Sequence, residues 1–210
     1  MLEAVIDILK LIIILVIAIV PHEYAHGWMA NKLGDPTAKD AGRLTLNPLK
    51  HIDPFGTIIL PGILLILMSL GMNWFLFGWA KPVPVNFARL NNPKRDMIYV
   101  AIAGPVTNIL IAVIFIQLLK FNLSPANSSL IEEAIFLNLL LAIFNMVPIP
   151  PLDGSRVVMG LLPNRLAASY MQLEPYGMVI VFALLYFGLF RSFVLPIVYA
   201  LGRLLGVQFS

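Results

Sequence analysis

The sequence predicts an all-α polytopic membrane protein, and three observations carry that reading. Of 210 residues, 60% are apolar and only 12% charged, with a mean hydropathy of +0.89. Soluble domains run nearer about 45–50% apolar and about 25% charged. The charged residues also gather between apolar stretches long enough to cross a bilayer. This composition excludes a soluble globule, a disordered chain and a nucleic-acid binder. With no cysteine there is no disulfide and no thiolate metal site. The length holds about five or six spans of about 20 residues, read as one membrane-embedded domain over 1–210.

Six apolar runs follow in order: Val5–Met29, Phe55–Trp79, Met97–Leu119, Ile131–Val147, Tyr176–Phe190 and a shorter one, Ser192–Val207, that contains Pro196 and Arg203. Ten of the fourteen basic residues sit in three loops. Lys32, Lys39, Arg43 and Lys50 follow the first run, Lys81, Arg89, Lys94 and Arg95 the second, and Arg156 and Arg165 the fourth. The positive-inside rule puts these loops in the cytoplasm. The N-terminus is then extracytoplasmic. With Glu3 and Asp7 and no basic n-region, it reads as an uncleaved anchor. The second run has cytoplasmic loops on both sides, so it is expected to be re-entrant, turning at Gly71-Met72-Asn73, with its backbone covered by protein or water. The last run fits a short span, an interfacial helix or another re-entrant turn.

The strongest chemical signal is His22-Glu23-Tyr24-Ala25-His26, an H-E-x-x-H inside the first run. Positions i and i+4 share a helix face, so both imidazoles reach one ion, and Glu23 lies beside it to take a proton from water. Ionisable residues within a span are costly and usually functional. Pro21 removes a helix hydrogen bond just before the motif. It reads equally as a plain kink or as a device that opens space beside a metal. A catalytic zinc needs a third protein ligand, and the candidates are Asp153, His51, Asp53 and a few loop acids. Asp153 follows Pro148-Ile-Pro150-Pro151-Leu, where a regular helix is forbidden, and broken backbone at membrane depth usually lines a cavity. Asn145, eight residues earlier, reads as an oxyanion donor or an interhelical clamp. Gly104 to Asn108 reads first as a helix-packing notch. Depth agrees with the metal reading: His26 is about 9 Å along a helix from Lys32, and Asp153 lies next to Arg156. Both approach the same membrane face.

Together these residues resemble the site-2 protease family of intramembrane zinc metalloproteases, in its small bacterial-type members without a PDZ domain. The likeness runs from His22 to about Glu174. It rests on H-E-x-x-H in a span, Gly104-x-x-x-Asn108, and Asn145-x-x-Pro148 followed by Pro151-Leu-Asp153-Gly154. The stretches Gly42-Arg-Leu-Thr-Leu-Asn-Pro48 and His51-Ile-Asp-Pro54-Phe-Gly56 also resemble those members. The resemblance implies a three-helix catalytic core with additional helices around it. It implies zinc on His22, His26 and Asp153, Glu23 as general base, and Asn145 helping to hold the oxyanion. It further suggests a short membrane-associated β-hairpin over Gly42–Pro54, where Leu44 and Leu46 alternate with Thr45, with an edge that holds the substrate extended. The implied partners are a transmembrane protein substrate and the lipid bilayer, and the implied location is the cell membrane, with the active site near its cytoplasmic side. The competing classes are a zinc-binding membrane transporter, an inactive relative, and a non-peptidase membrane zinc hydrolase. A transporter would want acids and histidines along a path across the membrane, and Leu11–Val20 and Leu110–Ile116 have none.

Overall fold

The computed structural model describes residues 2–72, 78–121, 124–188 and 190–209. Helix α1, Leu2–Lys32, has 31 residues, about 46 Å at 1.5 Å per residue. Gly34, at φ 108°, ends it, and the Asp35 N–H returns to the Ala30 carbonyl at 2.9 Å. This is the left-handed glycine stop of many helices. The Asp35 carboxylate then accepts the N–H of Thr37, the first residue of the short α2, Thr37–Asp40, at 3.1 Å.

The segment after α2 departs from the sequence expectation. Among the described residues there is no strand, and Gly42–Pro54 forms no β-hairpin. Its backbone groups are taken locally instead. Thr45 Oγ1 accepts the Asn47 N–H, Asn47 Oδ1 accepts the Leu49 N–H, and Pro48–His51 closes a 3₁₀ turn. Alternation over Leu44-Thr45-Leu46 is too short to outweigh an Asn-Pro turn signal directly behind it.

Pro54–Ile59 is a π-helical turn, capped by Asp53 on the Gly56 N–H at 2.6 Å, and it runs into α3, Leu60–Ser69. Gly71 has a φ of 84° at the end of α3, and Asn73 lies outside the described residues. From Gly78 the backbone is again beside its own beginning. The Trp79 N–H donates to the Gly56 carbonyl at 3.1 Å and the Lys81 N–H to the His51 carbonyl at 3.0 Å. An extended segment, Lys81–Asn86, leads to α4, Pro93–Leu118, which starts on a proline, where a missing N–H costs nothing.

Helix α5, Pro125–Asn145, follows, then the proline-broken turn, with a cis Pro150–Pro151 peptide, and α6, Asp153–Leu161. Helices α7, Asn164–Met171, and α8, Gly177–Tyr186, are joined through a 3₁₀ turn at Glu174–Tyr176. A π-helical turn, Phe190–Val194, leads to α9, Leu195–Leu204. Among the described residues, three stretches are long and apolar enough to cross a membrane: Pro93–Leu118, Asn127–Asn145 and Asn164–Tyr186.

α4 is the central helix. It packs against α1, α5 and α6, and α1 also reaches α5. Helix α9 folds back on the other end of this bundle, where Val194, Val198 and the tail residue Val207 join Ala112, Ile116, Ile135 and Leu139 in one buried cluster. Along α1, the π-helical turn and α3 large apolar side chains face outward, among them Ile8, Ile12, Ile58 and Ile66. In water such a surface would be a liability, but in lipid it is the solvated face.

Candidate metal centre

Helix α1 brings its two imidazoles together by periodicity alone. His22 Nε2 and His26 Nε2 are 3.0 Å apart, and each is 3.3 Å from Asp153 Oδ2. Both rings are buried. Among the described residues these three form the one group of histidines and acids able to share a metal ion. Ligand atoms about 2.0–2.1 Å from a tetrahedral zinc lie about 3.3–3.4 Å from one another, so the spacing fits.

The protonation pattern fits as well. His22 Nδ1 lies 2.6 Å from Asn108 Oδ1. Asn108 spends its amide on the Ala18 carbonyl at 2.8 Å and on Asn138 Oδ1 at 2.9 Å. Its oxygen is therefore an acceptor, and His22 Nδ1 carries the proton. His26 Nδ1 faces the Val100 carbonyl at 2.8 Å, which can only accept. Each Nε2 is left with a lone pair, and both lone pairs aim at a carboxylate oxygen that has no hydrogen-bond partner. Three ligand atoms thus converge on one point, an arrangement that a cation among them would stabilise.

Asp153 reaches the pair because α6 starts on it. The extended Leu152 ends the proline turn, and the carboxylate lies in the first turn of α6, where the helix dipole favours negative charge. Gly154 lets α6 begin against the end of α5; a Cβ there would meet the Met146 and Val147 carbonyls. Tyr170 Oη donates to the Pro148 carbonyl at 2.7 Å, and Arg156 pairs with Glu174, so α7 and the turn before α8 brace the same loop.

Glu23 lies one residue from His22, and its Oε2 accepts the Val83 N–H at 2.7 Å. Neither of the other named third-ligand candidates joins the cluster. His51 is buried with Nε2 donating to the Thr45 carbonyl at 2.9 Å, and Asp53 caps the π-helical turn. Asn145 is the last residue of α5, and its Nδ2 donates to the Leu141 carbonyl of its own helix at 3.0 Å.

Three further residues support the cluster: Gly104 and Asn108, which the sequence marked as a motif, and Asn138, which it did not. Gly104, read as a packing notch, is where α4 presses against the site: a Cβ there would stand against both imidazoles. Asn108 fixes the tautomer of His22. Asn138, fully buried, holds Asn108 in turn and donates to the Ala134 carbonyl at 2.8 Å. The signal for Asn138 was an amide in mid-run within an apolar span, where a polar group needs a partner.

Peptidase family M50 matches residues 122–188, a span that contains Asn145 and Asp153. The Bacillus subtilis (strain 168) protein YwhC is 42% identical over 195 residues, covering 88% of this chain and 83% of its own length. Rip2 of Mycolicibacterium smegmatis is 29% identical over 167 residues, covering 78% and 61%, and Rip2 of Mycobacterium tuberculosis (strain H37Rv) is 24% identical over 190 residues, covering 89% and 70%. The names of all three include the words zinc metalloprotease. No solved structure matches the chain. By its likeness to YwhC over most of both sequences, the chain belongs to peptidase family M50, the site-2 proteases.

Proposed function

We propose that this chain is an intramembrane zinc metalloprotease that hydrolyses peptide bonds within or near transmembrane segments of membrane proteins, the reaction of regulated intramembrane proteolysis. One observation carries the residue assignment: His22 Nε2, His26 Nε2 and Asp153 Oδ2 converge within 3.3 Å with their lone pairs inward. These three residues would hold one zinc ion. When bound, zinc supplies a water whose pKa falls toward about 7 and a Lewis acid for the scissile carbonyl.

The chain's own residues do the rest. Glu23 takes the proton from the attacking water and passes it to the leaving amine. Asn145 donates to the developing oxyanion, for which its amide leaves the Leu141 carbonyl. Asn108 and the Val100 carbonyl hold both imidazoles in the ligating tautomer. A substrate helix hides its carbonyls in hydrogen bonds, so it unwinds locally before it reaches Glu23.

The basic loops support an N-terminus outside the cell membrane and an active site near its cytoplasmic side. The adjacency of Gly56 and Trp79 supports a re-entrant path for the chain between them, since its two ends share one depth.

The test is hydrolysis of a peptide that spans a membrane, in detergent, with zinc counted per chain. Glu23→Gln is expected to abolish cleavage and keep about one zinc. Cleavage that persists in Glu23→Gln would overturn the mechanism.

A further inference from the structure

We propose that Arg43 is a positioning residue for the general base, acting through the extended segment Lys81–Asn86. The inference rests on Glu23 being that base. Arg43 is only 8% exposed, and a guanidinium is rarely so buried without a partner. Among the described residues no carboxylate pairs with it. Instead its Nη2 donates to the backbone carbonyls of Lys81 at 2.8 Å and Pro82 at 3.4 Å.

What Arg43 holds is a strap laid on the metal-binding turn of α1. At one end the Lys81 N–H donates to the His51 carbonyl. At the other, the Asn86 N–H donates at 2.6 Å to Asp35 Oδ2, a carboxylate with no exposure that also accepts from Thr37. Between them, Pro82 and Pro84 have no N–H, so Val83 is the one donor of the Pro82–Pro84 stretch, with Val85 the next along the chain. The Val83 N–H goes to Glu23 Oε2. The Val83 side chain rests on Gly27, next to His26: its Cγ1 is 2.8 Å from where a Cβ on Gly27 would stand.

Glutamate has three rotatable bonds, and nothing in helix periodicity fixes its carboxylate. One strong bond from a rigid backbone does. It engages Oε2 and leaves Oε1 to take the proton. A proline-flanked segment has few conformations of its own, and a planar guanidinium that meets successive carbonyls holds it more firmly than an ammonium would. Arg43 therefore sets the position of Glu23 without touching it, the substrate or the metal.

The experiment compares Arg43→Gln, Arg43→Lys, Val83→Pro, Val83→Ala and Glu23→Gln with the natural protein in detergent. It reads kcat, KM, zinc per chain and amide hydrogen exchange over 81–86. Arg43→Gln is expected to lower kcat about ten- to a hundredfold, the cost of displacing a catalytic group by about 1 Å. KM and zinc should stay within about twofold, and Arg43→Lys should recover part of the loss. Val83→Pro, which extends the run from Pro82 to Pro84 and removes the N–H, should lower kcat about tenfold more than Val83→Ala, which keeps it. Exchange over 81–86 should quicken in Arg43→Gln, a change that does not depend on turnover. If Arg43→Gln does not fold, the comparison of Val83→Pro with Val83→Ala decides. Full kcat in Arg43→Gln or Val83→Pro, with Glu23→Gln inactive, would overturn the inference and leave the base intact. A loss of kcat that tracks a loss of zinc would make the strap a structural brace and also overturn it. Activity in Glu23→Gln would remove the base on which the inference rests.

Discussion

His22 Nδ1 donates to Asn108 Oδ1 across 2.6 Å, joining a residue of α1 to one of α4 that lies 86 positions away. That bond decides which ring nitrogen of His22 faces the metal. Asn108 is itself locked by the Ala18 carbonyl and Asn138 Oδ1, so the orientation is set by three helices at once.

Asn108→Leu is expected to weaken zinc about 10- to 100-fold, the usual effect of losing an outer-shell partner of a metal-bound histidine. It also leaves Asn138 Oδ1 without its donor, at about 1–3 kcal/mol for a buried group left unpaired. Competition with a chelator of known affinity reads the first effect and thermal unfolding of the apo protein reads the second. Unchanged zinc affinity would show that Val100 and packing suffice to orient both rings.

Gly104→Ala is expected to abolish zinc binding and cleavage together, because its Cβ would stand against His26 Nε2 and the His22 ring. Gly62→Ala is the control. It lies inside α3 with open space where its Cβ would go, and alanine is favoured over glycine in a helix by about 1 kcal/mol. Zinc content after purification checks both.

Removing the metal is expected to destabilise the fold. A metal held by the folded cluster of His22, His26 and Asp153 stabilises the fold by linkage, and chelation removes that contribution. Restoring free zinc to 1,000 times its dissociation constant should return about 4 kcal/mol. The check is the thermal midpoint in detergent after chelation, then after zinc is added back. Asp153→Ala should lower zinc content, and His51→Ala, outside the cluster, should keep it.

Asn145→Ala is expected to lower kcat about 10²- to 10³-fold with zinc content unchanged, the cost of one oxyanion donor. A loss of less than about threefold would leave its bond to Leu141 as its role, since back-bonding within a helix contributes little.

The amino-acid sequence by itself determined the helices and the heart of the site. Long apolar runs can satisfy their backbone in lipid only as helices, so α1, α4 and α5 were legible from composition. Helix periodicity sufficed to pair His22 with His26, and the prolines before Asp153 sufficed to end one helix and begin another. The β-hairpin was misread because Leu44-Thr45-Leu46 carries an alternating pattern whose neighbours, Asn47 and Pro48, form a turn. What only the tertiary structure decided is which distant groups meet. Asp153 beside His26, Gly104 against both imidazoles, Asn138 behind Asn108, and the Val83 N–H on Glu23 each join residues at least 30 positions apart. Local propensity does not encode such meetings. They come from how α1, α4, α5 and α6 pack, and packing is set by the shapes of whole faces rather than by any one motif.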